Sequence, residues 1–357
     1  MNVRRVLTAL LLIALALFLP AAAIPQGFAG LGSTAEGFAI PQPGRQFRFP
    51  ADHGPHPDFR IEWWYVTANL QSENGTLFGV QWTLFRSAVA PKTESGWSDP
   101  QIWMGHAAIT TKDRHLVAEK LSRGGVGQAG VVSEPFSGWI DDWEMKSLSK
   151  VGADQLDKVS LRANGRDFGY TLELSAHGPL VLQGDKGYSV KSAEGQASYY
   201  YSQPFYNASG SLDIAGEIVR VKGKAWLDRE WSSQPLAEDQ TGWEWFSLHL
   251  DSGEKVMAFR LRDRSGGFTS ANWIARDGKP TPLSPGSLKI TAIRTARVGN
   301  RDIPVAWRVQ IPGSEFDVST SPLNDRAWME TTTPYWEGPI SFAGSATGRG
   351  YLEMTGY

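Results

Sequence analysis

The chain has 357 residues, of which 41% are hydrophobic, 15 are tryptophan and none is cysteine, and its 35 basic and 37 acidic side chains nearly cancel. Without cysteine there are no disulfides, thiolate metal sites, cysteine nucleophile or lipid-bearing cysteine, so the fold must be held by its core alone. The mild balance, −2 overall with no basic block, argues against nucleic acid, whose phosphates are met by clustered Lys and Arg.

At the N-terminus, Arg4 and Arg5 precede an apolar run from Val6 to Leu19, followed by Pro20 and Ala21-Ala22-Ala23. The run is shorter than the ~20 apolar residues of a spanning helix, and small residues follow it where a leader is cut. Residues 1–23 are therefore expected to be a signal peptide cleaved near Ala23, which makes the protein exported, periplasmic or extracellular, with no permanent membrane anchor. Residues 24–45 read as an irregular lead-in.

From Phe47 onward, short runs rich in Val, Ile, Thr, Trp and Tyr alternate with Gly, Asn, Asp and Ser punctuation, a pattern of strands and tight turns. Phe59 to Leu70 and Thr76 to Arg86 flank Asn74-Gly75, a strong hairpin signal, and Trp243 to Asp251 and Glu254 to Arg262 flank Ser252-Gly253. The expected class is all-β, in sandwiches or closed barrels. At this length two sheet domains are expected, residues 46–236 and 237–357, divided after Ser232-Ser233-Gln234-Pro235. Glu62-Trp63-Trp64-Tyr65 and Trp243-Glu244-Trp245-Phe246 hint at a distant duplication.

Period-two alternation sorts the candidate chemistry. Between Gly223 and Trp231 it places Trp226, Asp228 and Glu230 on one face, with Leu227, Arg229 and Trp231 on the other. Between Phe59 and Leu70 it groups Arg60, Glu62, Trp64 and Val66. If both faces turn inward, one barrel holds Glu62, Asp228 and Glu230 with Arg60 as counter-charge. Burial and mutual repulsion would then raise a carboxyl pKa and prepare a proton donor. The alternative is a structural arginine–carboxylate network, or a solvated face.

His106 reads as a strand residue hydrogen-bonded in a wall, and His249 likewise. His53 and His56 sit in a proline-broken loop that does not suggest a closed metal-ligand set, so no metal site is expected. No Gly-x-Ser-x-Gly elbow and no Gly-x-Gly-x-x-Gly helix start is present, which disfavours a serine hydrolase and nucleotide binding; no cofactor is expected. Tyr199-Tyr200-Tyr201, Trp63-Trp64 and Trp243-x-Trp245 suit the walls of an apolar ligand cavity, or plain core packing.

Several blocks resemble the AttH-like and carotenoid 1,2-hydratase-like lipocalin family, in particular its secreted bacterial branch labelled "predicted secreted hydrolase". They are Phe49-Pro50-x-Asp52-His53-Gly54-x-His56-Pro57, Glu62-Trp63-Trp64-Tyr65, Trp226-Leu227-Asp228-Arg229-Glu230-Trp231, Tyr335-Trp336-Glu337-Gly338 and Gly350 to Tyr357. The resemblance implies two tandem lipocalin-like (calycin) β-barrel domains. In the hydratases of this group an Asp is thought to protonate an alkene, and Asp228 matches that position. Trp226 stands where the hydratase pattern has Tyr, Arg229 where it has His, and Tyr199-Tyr200-Tyr201 lacks the His of the hydratase segment.

Two functions follow as expectations. One is binding of a large apolar molecule of lipid or terpenoid type, with Arg60, Trp64, His106, Tyr199, Tyr201 and Trp226 in the site. The other is acid–base catalysis on such a molecule, a hydratase, isomerase or hydrolase, with Asp228 as proton donor and Glu230 and Glu62 assisting. An envelope or transporter component is the expected macromolecular partner, and a structural envelope role is a third reading.

Overall fold

The structure, a computed structural model, describes residues 31–33, 35–91, 94–284 and 286–357; the leader expected at residues 1–23 lies outside the described residues. The first sheet comprises β1 (Ile61–Ser72), β2 (Leu77–Ala88), β3 (Gln101–Thr110), β4 (His115–Arg123), β5 (Ala129–Ser133), β6 (Phe136–Ile140), β7 (Trp143–Ser147), β8 (Lys158–Asn164), β9 (Phe168–Ala176), β10 (Val181–Leu182), β11 (Tyr188–Val190), β12 (Ala197–Ile214) and β13 (Glu217–Ser232). The second comprises β14 (Gly242–Leu250), β15 (Lys255–Arg262), β16 (Phe268–Ile274), β17 (Pro280–Pro282), β18 (Lys289–Val298), β19 (Arg301–Ile311), β20 (Phe316–Pro322), β21 (Trp328–Met329), β22 (Tyr335–Gly344) and β23 (Gly348–Met354). The chain is all-β, and both sheets curl into lipocalin-like barrels.

The expected turns form where their residues allow. Asn74 accepts hydrogen bonds from Ser72 and Thr76, while Gly75 and Gly253 take the positive φ that two-residue hairpins favour. Both sheets share one plan: their first four strands run as a meander, and the first strand pairs with the last, β1 with β13 and β14 with β23. The two aromatic segments, in β1 and β14, sit at corresponding places in their sheets. Each carries a buried glutamate clamped by two arginines, Glu62 by Arg86 and Arg229 and Glu244 by Arg260 and Arg262.

Each barrel is filled. Trp64, Trp82, Leu84, Trp143, Tyr201, Leu227 and Trp231 belong to the first core, and Phe246, Trp307, Trp336 and Leu352 to the second. A third apolar cluster, including Tyr65, Tyr200, Trp226, Trp245, Phe259 and Tyr351, joins the two sheets. The sheets meet closely at Gly79, where a Cβ would lie 2.5 Å from Pro339 Cγ. Only glycine permits that approach.

Candidate functional site

In an antiparallel pair, residues directly opposite share a face. The β1–β13 register sets Trp63 against Glu230, Tyr65 against Asp228 and Thr67 against Trp226; the other face sets Glu62 against Trp231 and Trp64 against Arg229. On β12, Tyr200 stands opposite Glu230 and Ser202 opposite Asp228, while Tyr199 and Tyr201 face Trp231 and Arg229. The expected acidic face of β13 is real. It looks away from the barrel interior, toward the second sheet.

Four expected site residues therefore belong elsewhere. Glu62 does not share a face with Asp228 and Glu230; it is fully buried inside the first barrel, bonded to Arg86, Arg229 and the His56 backbone N–H. Burial alone would raise its carboxyl, yet Arg229, Arg86 and His56 hold it well below the ordinary range, so it is no proton donor. Trp64 lies under the Arg229 guanidinium, 3.9 Å from the ring centroid. Tyr201 meets His53 Nδ1 at 2.7 Å, and Tyr199 accepts from the Gln42 backbone N–H at 2.8 Å. His56 stacks on Trp231 at 3.9 Å and reaches Asp52 and Glu62. The Asp52-His53-Gly54-x-His56 motif thus plugs a barrel, as the arginine–carboxylate network alternative holds.

The hollow lies between the sheets, with a volume of about 450 Å³. From the first sheet come Trp63, Tyr65, Phe85, Met104, His106, Tyr200, Asp228 and Glu230; from the second come Trp243, Trp245, Phe259, Leu261, Tyr335 and Glu353. Ile102 and Leu121, also lining it, are 47% and 57% exposed and give it an apolar rim. Sequence reasoning singled out Trp63, Trp243 and Trp245 as wall candidates. It named Tyr200 among the wall candidates but not in the site, and it missed Lys191, Tyr335 and Glu353, although Tyr335 and Glu353 lie in the blocks that carry the family resemblance.

Asp228, 2% exposed, accepts from Tyr200 Oη at 2.8 Å, Trp226 Nε1 at 2.7 Å and the Ser202 hydroxyl. Burial outweighs these three donors and, with Glu230 nearby, raises the carboxyl to about 7. Trp226 is thus a partner behind Asp228, backed in turn by the His249 ring at 5.5 Å. Tyr200 Oη also accepts from Trp245 Nε1 at 3.2 Å, which ties the acid to the second sheet. Glu230 is paired with Lys191 Nζ at 2.8 Å and bonded by Ser198. That lysine, not Arg60, supplies the counter-charge: Arg60 lines the hollow but donates to the Ser33 hydroxyl at 2.5 Å and the Leu31 carbonyl at 3.1 Å.

Across the hollow Glu353 accepts from Trp243 Nε1, and burial, with Asp228 and Glu230 adding repulsion, raises it to about 7 as well. Opposite it in the β22–β23 register, Glu337 is bonded to Tyr65, and burial raises its carboxyl well above the carboxylate range. His106 joins Tyr335 Oη at 2.9 Å to Glu119 at 3.1 Å, and burial depresses its pKa against the pull of Glu119. Rings, three carboxyls, two of them buried, and one ammonium therefore meet in one small cavity. The arrangement can hold an apolar body and exchange protons with it near neutral pH.

Residues 40–357 match the AttH-like family model. A crystal structure of an AttH from Nitrosomonas europaea is 34% identical with a TM-score of 0.79, covering 90% of this chain and 100% of its own. Kievitone hydratase from Nectria haematococca is 18% identical with a TM-score of 0.67, covering 89% of this chain and 98% of its own. CghA, in its complex with Sch210972, is 14% identical with a TM-score of 0.52, covering 90% and 97%. The last two show a shared fold alone. No curated protein matches the chain.

Proposed function

This chain belongs to the AttH-like family, and on that premise we propose that the cavity between its sheets binds a largely apolar molecule of lipid or terpenoid type. The observation that carries the proposal is a ring-walled hollow of about 450 Å³ with an apolar rim, within the ~300–1,000 Å³ of small-molecule sites. The Lys191–Glu230 pair and Arg60 would orient a polar end. Solvent extraction and native mass spectrometry of freshly purified protein should recover an apolar molecule, absent when Leu261→Trp fills the hollow. Recovery of nothing from wild type, with no uptake of apolar fluorophores, would refute the reading.

A second reading, acid–base catalysis on the bound molecule, is favoured by one specific observation: Asp228 and Glu353 reach the same hollow from opposite sheets, and burial raises both carboxyls to about 7. In a hydration, protonated Asp228 gives its proton to one alkene carbon, water oxygen bonds the other, and ionised Glu353 takes the proton that water loses. One proton then passes back from Glu353 to Asp228 through solvent. Kievitone hydratase, which shares the fold, is by its own name a hydratase. Incorporation of ¹⁸O from labelled water into a terpenoid alkene, abolished in Asp228→Asn, is the expected result; turnover unchanged in that variant would remove Asp228 as the acid.

Export to the periplasm or beyond, and delivery of the ligand to or from an envelope component, complete the proposal. A mature protein that retains residues 1–23 in cell fractionation and intact-mass measurement would exclude export by a cleaved leader.

A further inference from the structure

A second hollow opens at the opposite ends of the strands that build the first and is separate from it. Lys222 and Lys224 of β13, His177 after β9, His249 of β14, Lys255 of β15 and Arg349 of β23 line it. Lys158, Glu173 and Asp251 complete its charged wall; Glu173 lies 3.4 Å from Lys158, and Asp251 accepts from the Thr347 hydroxyl at 2.6 Å. Positive charge remains in clear excess.

Lys255 makes the groove more than a basic surface. It is 6% exposed; its ammonium donates to the Gly253 carbonyl at 2.9 Å and lies 3.9 Å from the Phe205 ring centroid. Among the described residues no carboxylate stands within ion-pair distance of it. The adjacent Glu254 is bonded to Ser252 and lies 3.6 Å from Arg276. Next to it, His249 donates from Nε2 to the Pro204 carbonyl at 3.0 Å, which leaves Nδ1 buried without a hydrogen-bond partner. Arg349 stands directly opposite His249 in the β14–β23 register. A buried cation without a counter-ion and a buried polar nitrogen without a partner are both costly, and one kind of ligand relieves both.

We infer that this groove is a binding site for a phosphorylated ligand, whose phosphoryl group sits against Lys255 and Lys224 and accepts a hydrogen bond from protonated His249 Nδ1. Seven basic side chains drawn from both sheets exceed what a monoanionic carboxylate needs and suit a dianion with three acceptor oxygens. The charge state of the groove agrees with this. Burial lowers His249 to about 4, with Lys255, Lys224 and His177 repelling its proton and the Pro204 carbonyl opposing them; burial and Lys224 lower Lys255 to about 8. A bound anion reverses both effects.

Pyrophosphate is the soluble probe, and phosphatidylcholine vesicles with or without phosphatidic acid test a lipid headgroup as the source. At constant ionic strength, saturable pyrophosphate binding by calorimetry is expected, weakened roughly tenfold or more in Lys255→Met and in Lys224→Ala, with the His249 pKa raised in an NMR titration. Lys255→Met removes an uncompensated buried charge, so the variant should fold, and exposed Lys224 supplies an independent check. Sedimentation with phosphatidic-acid vesicles alone, lost in Lys255→Met, would support the site with a headgroup as its ligand. No saturable binding of either probe, or equal binding by wild type and Lys255→Met, would overturn the inference.

Discussion

Asp228→Asn should make the protein more stable at alkaline pH. An unfolded chain ionises this aspartate above about 4, whereas the folded protein keeps the proton until about 7. Between those values the unfolded state binds fewer protons than the native state, so stability falls as pH rises. Each pH unit costs up to ~1.4 kcal/mol. The full loss above pH 7, for a residue 2% exposed, is bounded at about 4 kcal/mol. Asparagine cannot ionise, and its Oδ1 can still accept from Trp226 and Ser202. Urea unfolding of both proteins from pH 4 to 9 should give near-equal stabilities at the acid end and a gap of about 2–4 kcal/mol in favour of Asp228→Asn at the alkaline end. A gap that stays flat across that range would refute the claim that Asp228 is held neutral by burial.

Glu62→Gln should destabilise the fold by about 3–5 kcal/mol in chemical denaturation, because Arg86 and Arg229 lose their buried partner. Gly79→Val, whose Cβ would meet Pro339 at 2.5 Å, should cost about 1–3 kcal/mol in thermal unfolding and weaken apolar fluorophore binding by disturbing the sheet contact. Trp243→Ala should raise the Kd of such a fluorophore roughly tenfold or more, while Trp64→Ala should lower stability first.

Much of the fold was legible because hairpin chemistry and alternation are local. Asn74-Gly75 turned as expected, and alternation along β13 correctly grouped Trp226, Asp228 and Glu230. The error arose in combining strands. Alternation fixes the phase within β1 and within β13, but not which face of one meets which face of the other; that depends on pairing register, where a slip of one residue exchanges the faces. Glu62 was consequently joined to acids that stand on the opposite face. The same ambiguity in Tyr199-Tyr200-Tyr201 left out Tyr200, the residue that bonds Asp228, and kept its two neighbours.

The location of the hollow was harder still to read. Sequence reasoning placed it inside a barrel, but Trp64, Trp82, Trp143 and Trp231 fill that interior. The cavity exists because two filled barrels oppose their outer aromatic faces, and part of its wall comes from the second sheet, which begins only at Gly242. Glu353 and Tyr335 lay in motifs that signalled family resemblance without signalling position. The paired segments at Glu62 and Trp243 came nearest, since both first strands do present tryptophan to the joint.

Photolabelling with a terpenoid diazirine, mapped by peptide mass spectrometry, tests most directly whether the binding hollow lies between the sheets. Adducts on Trp63, Trp243, Trp245 or Phe259, competed away by the parent terpenoid, are predicted. Adducts confined to Trp64, Tyr199 and Tyr201 would place the ligand inside the first barrel and contradict a binding site between the sheets.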